Sequence, residues 1–141
     1  MKVKIGDVVN VYPVIMKASF EKMSGKAKLK MIHVIKSLKP VTKSFGDVRE
    51  DAVKKLAGQD YQDALKKVRQ PNDYKEEDVK EALKVVQASD EAYAKFIREE
   101  TEKEIEVDYE MLDEEDFTAL LEGSKDLTPQ ELMLLSELIA E

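Results

Sequence analysis

The sequence predicts a mainly α fold: a long antiparallel helical hairpin, a third long helix, and a small two-stranded β-ribbon. Three observations carry that expectation. First, Met31, Ile35, Leu38, Val41, Phe45, Val48, Ala52 and Leu56 recur at steps of three or four, which sets them along one helix face. Second, charged residues make up 38% of the chain against about a quarter in an average domain, and aromatics only 6%, as solvated helices require. Third, two short stretches break the helical period. Met1 to Ile5 alternates Lys2 and Lys4 with Val3 and Ile5, and Glu104 to Glu110 alternates acids with Ile105, Val107 and Tyr109.

The first element is then a strand over about 2–5, too short to stand alone. Gly6-Asp7 reads as a turn and cap, opening a helix on Val8, Val11, Tyr12, Ile15, Phe20 and Met23 that ends before Ser24-Gly25, with Gly25 as the C-terminal glycine. Pro13 predicts either a kink in this helix or a start near Tyr12. A very short connection then makes the first two helices a hairpin over about 7–57. The second helix, if continuous, is about 45 Å long. Pro40 lies inside it without disturbing the apolar period, so a kink is expected there rather than two helices; Gly46 adds a local weakness and Gly58 closes the element.

Residues 58–74 form a variable connection, with Tyr61 to Arg69 a short helix and Gln70-Pro71-Asn72-Asp73 a breaker that supplies the next cap. A helix over about 75–103 follows, carrying Val79, Leu83, Val86, Tyr93, Phe96 and Ile97, with a break or bend expected at Ala88-Ser89-Asp90. The strand at about 104–109 has one obvious mate, the N-terminal strand, because its acids suit Lys2 and Lys4. Strand and C-terminal helices occupy about 104–140. Asp113 to Asp116 place acids at the start of a short helix that Gly123 ends. Thr128-Pro129-Gln130-Glu131 is a capping box with proline at the first helical position, ahead of Leu132, Leu135, Leu138 and Ile139. The whole of 1–141 is expected to form one domain.

Charge is unevenly spread. Residues 1–43 hold ten lysines against Asp7 and Glu21, a surplus of eight; with a net charge of −7, the remainder carries −15, mostly after Ile97. Such polarity suits attraction between the ends of one chain or between copies. With no cysteine, disulfide scaffolds, thiol catalysis and Cys-based metal sites are excluded. Asp7 and Asn10 interrupt the N-terminal apolar patch, so no signal peptide is expected, and no transmembrane helix either. The expected location is the cytoplasm.

Candidate chemistry is sparse. His33 is the only histidine; Ser24, Ser37 and Ser44 lie near it without a nucleophile-elbow pattern, and Lys30 and Lys36 flank it one turn away. No catalytic residue is assigned. The acids from Glu99 to Asp116 alternate as a strand does and include no tight glycine turn, so they are read as a solvated face and an acidic helix start, with no metal or cofactor site. The segment from Lys22 to Lys43 is basic but lacks arginine and aromatics. Within it Lys26, Lys30 and His33 form one stripe, a candidate face for nucleic acid or for a partner. The competing reading is intramolecular, with the basic hairpin against the acidic C-terminal part.

The stretches MKVKIGDVVN, GKAKLKMIHVIKSLKPVTKSFGDVREDAVKKL, EAYAKFIREETEKEIEVDYEML and LTPQELMLLSEL, in that order, resemble small uncharacterised proteins encoded by tailed bacteriophages and prophages. The resemblance covers most of the chain, least over about 59–88, and departs from the pattern at Pro13 and Pro40. It implies a product that acts by binding, in virion assembly or takeover of a bacterial host, with no catalytic residues to carry over. The expected function is a non-enzymatic protein-interaction or assembly role, with a protein partner or self-association. The alternatives are a nucleic-acid-associated protein using the Lys22–Lys43 face, or an acidic nucleic-acid mimic that blocks a host protein.

Overall fold

The computed structural model describes every residue from Met1 to Glu141. The chain is mainly α, 76% helical, with six α-helices and one small antiparallel sheet. In order the elements are β1 (Lys2–Lys4), α1 (Ile5–Lys17), α2 (Gly25–Leu56), α3 (Gln59–Arg69), a 3-10 turn (Pro71–Asp73), α4 (Glu76–Glu102), β2 (Glu104–Glu106), α5 (Glu114–Gly123) and α6 (Pro129–Ile139). They form two compact units, one of Met1–Phe45 with Thr101–Glu141, the other of Gly46–Glu100.

In the first unit the ribbon is the predicted one. Lys2 faces Glu106, Val3 faces Ile105 and Lys4 faces Glu104, so each lysine stands beside an acid while the apolar pair turns inward. The ladder stops after three residues, but the alternation continues: Val107 and Tyr109 are buried, and Asp108 and Glu110 are exposed. No turn separates β1 from α1. Ile5 is already helical, so Asp7 lies in the first turn and does not cap it. Close packing accounts for Gly6: a Cβ there would sit 3.0 Å from the Thr101 Cβ and 3.1 Å from its carbonyl oxygen.

α1 runs through Pro13 and ends at Lys17, earlier than the sequence pattern implied. The reason is a tertiary bond. The Ser19 N–H donates to Ser124 Oγ at 3.0 Å, holding the backbone off the helical path. Phe20 and Met23 still pack on the core, from a connection over 18–24 that is longer than expected. Gly25 is the first residue of α2, not a C-terminal glycine, and no residue in the chain has positive φ. Ser24 caps α2, its Oγ accepting from the Ala27 N–H at 3.1 Å. α2 continues through Pro40, whose exposed position lets water reach the carbonyl left without a donor.

The core of this unit joins Val8, Val11, Val14 and Ile15 of α1 to Met31, Val34 and Leu38 of α2 and to Leu120, Leu135 and Ile139 near the C-terminus. The end of α6 is finished by the segment after β2. Tyr109 donates its hydroxyl to the Leu138 carbonyl at 2.9 Å, and the Leu112 N–H donates to the Ile139 carbonyl at 2.8 Å. These would otherwise be orphan carbonyls of a helix end. At the other end of α6 the capping box forms as expected, with the Glu131 N–H on Thr128 Oγ1 at 3.2 Å and the Thr128 N–H on Glu131 Oε1 at 3.0 Å.

The second unit holds the last part of α2, then α3, the 3-10 turn and most of α4. α4 is one unbroken helix; the break expected at Ala88-Ser89-Asp90 is absent. Asp90 is used elsewhere. It accepts the Tyr61 hydroxyl at 3.1 Å, so its carboxylate is used sideways, toward α3. The core cluster is small: Ala64, Ala82 and Val86, with Tyr61, Leu65 and Val68 against them.

Candidate functional site

The three residues of the predicted stripe do not share one environment. Lys26 and His33 are exposed on α2, whereas Lys30 retains only 9% of its surface. Its ammonium lies 2.8 Å from Asp116 Oδ2 at the start of α5 and 3.5 Å from Glu110 Oε1. The hydrogen bond to Asp116 raises the Lys30 pKa above 10.5, with smaller pulls from Glu110 and Asp113, and burial works against the shift. One lysine of the basic segment is thus neutralised inside the fold. Ion pairs at the ends use further charge: Lys4 with Glu102 at 2.9 Å, Lys17 with Glu131 at 2.7 Å, and the N-terminal ammonium with Glu106 at 3.0 Å.

What remains on the outer side of α2 is still basic. Lys26, Lys28, Lys36, Lys39 and Lys43 are exposed and take no part in the ion pairs, while Leu29 and Ile32 between them are 51% and 46% exposed. A face of this kind offers point charges to phosphate or carboxylate groups around a small greasy centre. Two of the three serines near His33 are engaged structurally. Ser24 caps the helix, and Ser37 donates to the Asp108 carbonyl at 3.0 Å. The acids of the Glu99–Asp116 run are divided among α4, β2, the connection that follows it and α5, and no three of them converge as metal ligands.

A second feature lies wholly in the 46–100 unit and was not singled out from sequence. Val48, Ala52 and Leu56 of α2 and Ala92 and Phe96 of α4 line an open groove of about 460 Å³, with Asp51 and Lys55 on its rim. A smaller hollow of about 150 Å³ lies beside Leu56, Tyr61 and Tyr93. Val48, Ala52, Leu56 and Phe96 belong to apolar stripes readable in sequence, whereas Ala92 does not stand out there. Periodicity marks such positions as apolar but does not say which neighbour they meet. Tyr61 at the hollow has a raised pKa, because its hydroxyl donates to Asp90 and is partly desolvated.

The fold defines a mainly α protein with a small two-stranded sheet; no helix is long and apolar enough to cross a membrane. Comparison with protein-family models, with curated proteins and with solved structures finds no match.

Proposed function

We propose that this chain is a non-enzymatic interaction protein that docks another polypeptide through the groove between α2 and α4 in the 46–100 unit. The observation that carries this reading is an open apolar groove in a unit whose own core is small. All ten of the largest fully buried side chains belong to the other unit. In residues 46–100 the buried apolar side chains are Ala52, Ala64, Ala82 and Val86. A unit of this size with so little covered gains from further apolar cover. The resemblance to phage and prophage products supports a role in particle assembly or in takeover of a bacterial host, in its cytoplasm or on the virion.

The test is site-directed photo-crosslinking in the producing cell, with the reactive group at Ala92 in the groove and, as control, at Asn72 in the exposed 3-10 turn. An adduct above the mass of one chain from position 92 alone supports the reading. Equal adducts from both positions, or none from position 92, refute it.

The outer face of α2 favours a second reading, nucleic-acid association, because five of its lysines lie outside the ion pairs. If those five lysines contact duplex phosphates, log K falls against log salt with a slope of about −4 to −5. Absence of binding in a low-salt anisotropy titration removes this reading.

A further inference from the structure

We infer that the occupant of the groove is a second copy of this chain, paired about a two-fold axis. The inference rests on the docking reading above and narrows it to one partner. It starts from the rim. Asp51 and Lys55 are exposed, carry opposite charge, and stand one helical turn apart beside Val48, Ala52 and Leu56. In an isologous interface residue i of one copy meets residue j of the other, and j meets i. Two copies of this segment run antiparallel therefore set Asp51 opposite the partner's Lys55, and Lys55 opposite the partner's Asp51. The rim is self-complementary, with no net charge to prefer a strongly acidic or basic partner.

The floor fits the same geometry. Ala52, 6% exposed, and the exposed Ala92 leave room for a helix backbone to come close, while Leu56 and Phe96 are only half-buried and offer the apolar area that a close approach would cover. Val53 at 45% exposure extends apolar surface toward the neighbouring hollow, which Leu56 also lines. Pairing two such grooves gives each unit the apolar cover that its alanine-lined core lacks. Obligate self-interfaces resemble a core cut in half in this way.

The test is sedimentation equilibrium on the purified full chain from about 1 µM to about 1 mM, the range in which weak pairs assemble. Wild type is expected to reach a two-chain species. Ala92→Glu, at a position exposed in the single chain, is expected to remain a single chain with unchanged far-ultraviolet circular dichroism. Asp51→Lys is expected to weaken pairing roughly tenfold by setting like charges across the axis, and Asp51→Lys/Lys55→Glu to restore it. The surface charge variants keep the test decisive should Ala92→Glu fail to fold. Wild type at one-chain mass throughout, wild-type pairing by Ala92→Glu, or no rescue by the double swap overturns the inference. A one-chain mass together with an Ala92 crosslink to a different polypeptide overturns self-pairing and leaves the docking reading standing. A one-chain mass without any crosslink removes both.

Discussion

Gly6 and Gly46 are both helical, and neither has positive φ, yet alanine should act in opposite directions at the two sites. At Gly46, inside α2, a Cβ would meet nothing within 4 Å. The substitution there removes only the backbone-entropy penalty of glycine, so Gly46→Ala should stabilise the chain by about 1 kcal/mol. At Gly6 the propensity gain is smaller, because the residue is in the first turn, and the new methyl carbon would lie 3.0 Å from the Thr101 Cβ and 3.1 Å from its backbone oxygen. Backbone must move to admit it, and overpacking of this kind costs about 1–3 kcal/mol. The net expectation for Gly6→Ala is a loss of about 1–2 kcal/mol, or a midpoint several degrees lower. Urea denaturation followed by circular dichroism measures both, with the slope checked to be unchanged. A Gly6→Ala chain as stable as wild type would show that α1 and the last turn of α4 do not pack this closely. A destabilised Gly46→Ala chain would show that α2 departs from regular helix at that point.

Other expectations follow from single contacts. Tyr109→Phe should cost about 1–2 kcal/mol, since it strands the Leu138 carbonyl at the buried end of α6. Burial raises the Tyr109 pKa above 10, so its contribution holds below that pH and is lost as pH climbs through the folded value; the phenylalanine variant should flatten this alkaline limb. The Lys17 hydrogen bond, aided by the Thr128 N–H, lowers the Glu131 pKa below 4.5. Its contribution is therefore complete above 4.5 and fades as pH falls through the folded value, and Glu131→Gln should be less stable than wild type at neutral pH but converge with it in acid. If α2 binds nucleic acid, Lys36→Met should reduce the salt slope by about one, while Lys30→Met should leave it unchanged because that ammonium is already held by Asp116. Equal effects in an anisotropy titration would contradict the placement of Lys30.

The parts of the fold that were legible in sequence are those fixed by short-range pattern. The alternation at 104–110 fixed the strand and its inward side chains, and opposite charge selected its mate. Thr128 and Glu131 declared their own capping box three residues apart. What was missed depended on distant partners. Helix α1 stops at Lys17 because Ser124, far along the chain, offers a hydroxyl to Ser19. Phe20 and Met23 keep a helical spacing although they pack from a loop, so periodicity alone extended the helix too far. Gly6 looked like a turn residue, whereas its role is to make room for Thr101. The polar run Ala88-Ser89-Asp90 looked like a break, but α4 continues through it and Tyr61 on α3 donates to the Asp90 carboxylate.

The same dependence explains why Lys26, Lys30 and His33 could be placed on one stripe but not sorted within it. A helical wheel gives all three adjacent angles, and the boundary between buried and exposed falls wherever the next element happens to lie. Here α5 begins beside Lys30, with Asp113 as its cap and Asp116 one turn in, so the acids that favour a helix start also reach across to that single ammonium. Its neighbours, a turn away in either direction, stay in water. The groove shows the complementary case. Val48, Ala52 and Leu56 continue the apolar stripe of α2 beyond Phe45 with nearly the same spacing, but α2 joins a large aliphatic core before that point and borders an open groove with Ala92 and Phe96 after it. One uninterrupted sequence pattern therefore contains a finished core and an unfinished one. The unfinished stretch still has its stripe, and a stripe that its own chain covers only in part is the physical basis for expecting a second chain there.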